Sequence, residues 1–341
     1  MKKSLMTLGV LALFVLMAYG QEKKFALYSV AFYNMENLFD TIHDEGKNDY
    51  EYLPNGTNQW NTMKYKAKLK NMSEILSMLS TDKLPMGPAI IGVSEIENYK
   101  VLEDILKQPA LADRGYQYVH YEGADQRGVD CAFFYNPKLF ELTNSKLVPY
   151  VYINDTVHKT RGFLIASGNI AGEKMHFIVN HWPSRAAASP ARERAGEQVR
   201  AIKDSLLRED SAAKIVIMGD MNDDPMDKSM AVALGAKRKP ADVGPTDLYN
   251  PWWDTLKKGY GTLMYKGKWN LFDQIVFTGN LLGTDRSTLK FYKHEIFHRD
   301  FMFQKEGKYK GYPKRTQAGG VWLNGYSDHL PTIIYLIKEV K

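Results

Sequence analysis

Short apolar runs recur along the whole chain, and their spacing is the first guide to its architecture. Residues 26–33, 89–94, 116–121, 129–135, 163–170, 174–180, 214–219, 272–279 and 332–337 are apolar, β-branched or aromatic, and they read as buried strands. Two stretches carry a helical period instead. Tyr65, Leu69, Met72, Leu76 and Leu79 recur at steps of three and four over 65–80. Ala191, Ala195, Val199, Ile202 and Leu206 do so over 189–208. For the second, Ser189 is the expected N-cap and Pro190 the first helical residue. Many buried strands and few amphipathic helices predict an α/β fold in which sheets pack face to face with helices outside.

Polar residues follow several of these runs. Asn34, Glu95, His181 and Asp220 each end an apolar segment. Side chains placed at strand ends converge on one rim of a layered sheet, where ligand sites form. In IVIMGDMNDDP (215–225), strand alternation points Asp220 and Asn222 the same way. A carboxylate that takes a proton from water beside an amide that donates to developing charge suits phosphoryl chemistry; an Asx-rich turn is the alternative. In GVSEIEN (92–98), Glu95 and Glu97 are both hard oxygen donors, and Mg²⁺ needs only one or two carboxylates with water and substrate phosphate. In VNHWPSR (179–185), Asn180, His181 and Arg185 are candidate phosphate contacts, and Arg127 is a further candidate clamp. Asp273 lies within the apolar run WNLFDQIVF (269–277), so burial demands a partner, and an imidazolium is the natural one. GYSDHLP (325–331) offers that imidazole as His329. Its Ser327 has no Gly-x-Ser-x-Gly elbow, which argues against a serine hydrolase.

YNMENLF, GVSEIEN, RGVDCAFFY, VNHWPSR, IMGDMNDDP, LFDQIVF and GYSDHLP, in this order, resemble the endonuclease/exonuclease/phosphatase superfamily, the DNase I-like phosphoesterases. The resemblance spans about residues 25–338. It implies a four-layer α/β sandwich, two packed mixed β-sheets flanked by helices. It implies that Glu95 and Asp328 lie on the metal side, with Mg²⁺ as the ion and Mn²⁺ or Ca²⁺ as alternatives. It further implies Asn34 as a phosphate-side residue, His181 at the scissile phosphate, Asp220 and Asn222 on the attacking water and the phosphorus, and Asp273 paired with the catalytic His329. Asp130, in RGVDCAFFY, is expected as a supporting acid for His181.

Composition narrows the picture only slightly. With 341 residues and 44% hydrophobic content, and no linker or repeat, one domain over 21–341 is expected. Residues 1–20 run from two lysines through an apolar stretch to Ala18-Tyr19-Gly20 and read as a cleavable leader. Export to the periplasm or beyond is therefore expected, with no stable membrane insertion after cleavage and a monomeric product. The net charge of +6 becomes +4 once Lys2 and Lys3 are removed. The single Cys131 excludes an intramolecular disulfide and a multi-cysteine zinc site. Residues 290–315 hold eight Lys/Arg against three Asp/Glu, interleaved with seven Phe/Tyr; a solvated loop pinned onto the fold by its aromatics is the first reading, and a strand-binding surface the second. The chain is expected to be a metal-dependent phosphodiesterase, foremost a secreted endonuclease with a nucleic-acid substrate. The alternatives are a phosphatase or phosphodiesterase of small or lipid esters, or a non-catalytic binding protein on the same fold.

Overall fold

The computed structural model describes residues 23–340 apart from 154 and 156; the expected leader lies outside the described residues. The strands in chain order are β1 (Lys24–Leu38), β2 (Ile90–Ile96), β3 (Gln117–His120), β4 (Asp130–Tyr135), β5 (Phe140–Val148), β6 (Phe163–Ile170) and β7 (Glu173–His181). After them come β8 (Lys214–Asp220), β9 (Ala236–Lys237), β10 (Leu248–Tyr249), β11 (Asp273–Thr278), β12 (Lys290–Ile296) and β13 (Thr332–Val340), with two small hairpins elsewhere. One sheet runs β12-β13-β1-β2-β4-β3 and the other β5-β6-β7-β8-β11-β10-β9. Both are mixed: β1–β2 and β7–β8 are parallel, whereas β1–β13 and β8–β11 are antiparallel.

The two sheets face each other across a core that includes Val30, Phe32, Phe133, Phe177, Met218 and Ile275. On the far side of the first sheet, Ala31, Tyr33, Ile91 and Val93 pack against α1 (Thr62–Met78) and α2 (Tyr99–Leu106). On the far side of the second, Ile178, Ile215 and Ile217 pack against Ala195 and Val199 of α3 (Ser189–Glu209). The result is the expected four layers. Central strands are covered on both faces, which is why they appear as continuous apolar runs rather than alternating ones.

Helix α3 is capped by Ala188 rather than Ser189, one residue earlier than the sequence suggested, and the Ser189 hydroxyl reaches Glu193 instead. Among the described residues no helix is long and apolar enough to cross a membrane. The basic, aromatic stretch 290–315 is partly pinned onto the fold by its rings. Its first part is edge strand β12, where Phe291 packs on Tyr249 and Phe277. Phe297 is buried, and Phe303 meets Trp269 edge-on. Phe291, Phe297 and Phe303 therefore serve the core, whereas Tyr292, Phe301 and Tyr309 are exposed.

Candidate active site

Strand parity assembles the site. Along β1, Val30 and Phe32 face the opposite sheet, so Asn34 does as well. The same count carries Phe177 and Val179 to His181, Val216 and Met218 to Asp220, and Ile275 and Phe277 back to Asp273. All four polar side chains thus reach the rim of the inter-sheet layer. There Asn34 Nδ2 donates to Asp220 Oδ2 at 3.0 Å, and the Asn222 backbone N–H donates to Asp220 Oδ1 at 2.9 Å. His181 Nε2 stands 3.6 Å from Asp220 Oδ2. His329 arrives from the loop before β13. Its Nδ1 donates to Asp273 Oδ2 at 2.7 Å, and its Nε2 lies 3.9 Å from Asp220 Oδ2. Ser327 is the turn residue behind it, donating to the Asn34 carbonyl and accepting the His329 N–H.

Two residues reach the site by leaving extended geometry. Parity would send Glu95 toward α1 with Ile91 and Val93. A register shift in β2 and a left-handed φ of 59° at Glu95 turn it inward, bringing Oε1 to 3.6 Å from His181 Nε2 while Oε2 accepts the Asn37 N–H at 3.0 Å. Asn222 is likewise left-handed, with φ 51°, and its side chain donates to the Trp182 carbonyl at 3.1 Å. Its placement comes from this turn and not from the alternation that the sequence suggested. Strained backbone of this kind costs of order 1–3 kcal/mol and persists where surrounding structure enforces it.

The electrostatics separate the two imidazoles. Burial alone would depress His329, but Asp273 and Asp220 hold its pKa well above the usual histidine value. His181 is pushed well below that value by burial and then by Arg161 and Arg127. Burial raises the Asp220 carboxyl above the ordinary range, opposed by His329 and reinforced by Asp273. The surroundings therefore favour the cationic form of His329 and the neutral form of His181 on either side of the buried Asp220.

The other expected residues lie as follows. Arg127 does line the opening. Asn180 is fully buried and occupied as a brace: its amide donates to the Ile178 and Met218 carbonyls and accepts Trp182 Nε1–H, so it is not a phosphate contact. Arg185 is also spent, neutralised by Asp223, Asp224 and Asp227 and stacked 4.4 Å over Phe272. Asp130 does not support His181. Its β4 parity, shared with Ala132 and Phe134, turns it to the helix side, where it pairs with His120 Nε2 at 3.1 Å. Glu97 accepts the Asp40 N–H at 2.6 Å and is buried away from the rim. Asp328 accepts from Arg315 Nη2 at 2.9 Å.

Sequence reading missed Arg161. It is buried, bound to Asp125 Oδ2 at 2.9 Å and to the Trp182 carbonyl at 2.8 Å, and its partner lies too far along the chain to leave a local signal. Arg161 and Arg127 join Glu95, His181, Asp220, Asn222 and His329 around an opening of about 310 Å³. Glu95, His181 and Asp220 present donor atoms within 4.8 Å of one another. With its Oε1 free of a hydrogen bond and facing that group, Glu95 is the hard oxygen donor on which a divalent cation would sit.

Among solved structures, the chain resembles an endonuclease/exonuclease/phosphatase family protein from Bacteroides thetaiotaomicron, with TM-score 0.57, 14% identity, and coverage of 93% of this chain and 97% of that one. It also resembles the mannosyl-6-phosphatase Bt3783 of Bacteroides thetaiotaomicron VPI-5482, at TM-score 0.55 and 14% identity over 91% and 99% of the two chains. A third is D. rerio TDP2 complexed with single strand DNA product, at TM-score 0.53 and 14% identity over 91% and 99%. At these identities the likeness concerns the fold. No curated protein matches the sequence. Residues 29–338 match the Endonuclease/Exonuclease/phosphatase family, and with that span covering nearly all of the described sheets, the chain belongs to this family.

Proposed function

We propose that the protein is a divalent-metal-dependent phosphoesterase that hydrolyses a P–O bond of a compact phosphate ester by in-line attack of water. The observation that carries this reading is the convergence of Asp220 with two imidazoles, His329 biased toward its cationic form and His181 toward its neutral one, beside Asn222 and Glu95. Asp220 is held in one orientation by Asn34 and by the Asn222 N–H, ready to accept the proton of the attacking water. His329, kept cationic by Asp273, hydrogen-bonds a phosphoryl oxygen as charge develops. His181 presents Nε2 to two carboxylates, which favours the tautomer with its proton there, and donates to the same developing charge. A divalent ion on Glu95 would neutralise phosphate oxygens and polarise the P–O bond.

Two features favour a compact ester over a nucleic-acid strand. Arg127 and Arg161 line a small opening and share one carboxylate, Asp125, which leaves an excess of positive charge there and suits the dianion of a terminal phosphate. Three of the aromatics in 290–315 that could have stacked bases, Phe291, Phe297 and Phe303, are packed into the fold instead. The named neighbours span both possibilities, one a mannosyl-6-phosphatase and one a protein holding single-strand DNA.

A substrate panel tests the reading: phosphate monoesters of sugars, lipid headgroup esters, RNA, and single- and double-stranded DNA, each with Mg²⁺ and with EDTA. The expected result is Mg²⁺-dependent release of inorganic phosphate from a monoester, with weak salt dependence. Cleavage of strands with affinity falling about 10³-fold or more between 50 and 200 mM salt, the signature of many phosphate contacts, would establish the endonuclease instead. Activity undiminished by EDTA would remove the metal from the reaction.

A further inference from the structure

Beside Glu95 lies a second acidic pair that the reaction above does not use. Glu36, buried on β1, and Asp328, at the loop before β13, are bridged by one guanidinium: Arg315 Nε donates to Glu36 Oε1 and Nη2 to Asp328 Oδ2, both at 2.9 Å. The other Glu36 oxygen accepts the Thr316 N–H at 2.7 Å. This guanidinium is held by its backbone. The Lys314 carbonyl accepts the Tyr326 N–H at 2.7 Å. A Cβ at Gly325 would lie 2.2 Å from the Arg315 carbonyl, so the two segments meet with no room for a side chain. Beneath them the fully buried Lys68 donates to Thr316 Oγ1 and the Tyr326 carbonyl. Glu36 and Asn37 have successive left-handed φ values of 45° and 55°. That strained pair sends the Glu36 carboxylate to Arg315, while the Asn37 N–H holds Glu95.

We propose that Arg315 is a resident cation, occupying the place between Glu36 and Asp328 that a second divalent ion would need, so that the site takes one ion, through Glu95. Two facing carboxylates with nothing between them would draw in a cation, since adjacent like charges are stabilised only by one. The guanidinium fork matches both carboxylates and is always charged. Asp328 therefore serves Arg315 and is not an ion ligand, and Arg315 is a positioning residue that fixes metal stoichiometry.

The inference rests on the phosphoesterase reading, and Mn²⁺ titration followed by electron paramagnetic resonance, without substrate, separates the two. Wild type is expected to bind one Mn²⁺, Arg315→Met two, and Arg315→Lys one. Wild type binding none overturns the metal-dependent reading itself. Wild type binding two, or a folded Arg315→Met binding one, overturns only the role of Arg315. If Arg315→Met does not fold, Asp328→Asn decides: a change in Mn²⁺ affinity below about threefold supports the inference, whereas about tenfold or more, as for a lost ligand, overturns it.

Discussion

Asp273 and His329 are the clearest case of one residue setting another's chemistry. A fully buried carboxylate 2.7 Å from Nδ1 fixes the ring and keeps it charged against the cost of burial. Asp273→Asn is therefore expected to lower the His329 pKa, and with it the alkaline limb of the kcat/KM profile, which moves to lower pH. An unmoved limb with a lower plateau would mean that Asp273 only packs. Asp220→Asn, which cannot take the water proton, and His329→Ala are each expected to reduce kcat by about 10²–10⁴-fold with unchanged circular dichroism. Near-wild-type turnover in either would refute the assignment. These residues were legible because each sits at a fixed parity or offset from an apolar run. Asn180 and Arg185 sit in the same motif as His181, but the sequence carries no record that one amide would be saturated by carbonyls and the other cation by three aspartates. Arg161 and the Glu36–Arg315–Asp328 bridge were not legible at all. Their partners are distant in sequence and meet only when the sheets close.

At the scale of elements, the rim depends on how closely β7 and β8 approach. A Cβ at Gly219 would come within 2.3 Å of the Asn180 carbonyl oxygen, so the two parallel strands can converge there only with glycine. Asn180 then ties the ends together, accepting from Trp182 and donating to the carbonyls of Ile178 and Met218. Asn180→Ala is expected to cost about 1–3 kcal/mol, because it leaves buried partners unsatisfied, while KM for the substrate stays nearly constant. A phosphate contact would behave the other way, raising KM at unchanged stability, so denaturant melts beside steady-state kinetics distinguish the two. Doubly covered strands such as β1, β2 and β8 announce themselves by continuous apolar character. Edge strands β5 and β12 do not. FELTNSKLV and KFYKHEI mix polar and apolar residues because one side meets water, so the second reads as part of a loop and not as a strand. Glu95 and Asn222 show a further limit, since a left-handed residue at a strand end redirects a side chain that alternation would place elsewhere.

Over the whole molecule, layer number follows from counting buried runs, but the strand order does not, because pairing β1 with β13 joins residues from opposite ends of the described chain and no local pattern encodes such a contact. Burial on that scale also determines the pH response of the fold, through histidines outside the site. His176 is enclosed in β7 with Nδ1 2.7 Å from the Ser167 hydroxyl, and His294 in β12 contacts the Thr255 hydroxyl and the edge of Trp252. Both pKa values lie below the ordinary value of 6.5: burial is the main cause, with Lys174 and Lys146 adding to it at His176 against Asp210 and Glu209, and Lys258 adding to it at His294. Above that value neither state carries the proton and the histidines are neutral to stability. As pH falls through 6.5 the unfolded chain takes up protons first, so the folded state loses ground until the depressed folded values are reached. Glu36, raised to about 7 by burial, acts with the opposite sign in part of this window, so the test is a difference between variants and not the wild-type trend. Denaturant unfolding of wild type and of His176→Gln/His294→Gln, in EDTA at pH 7, 6 and 5, is expected to show wild type losing more stability per pH unit than the double variant. Parallel slopes would mean that both imidazoles are protonated as readily in the fold as in the open chain.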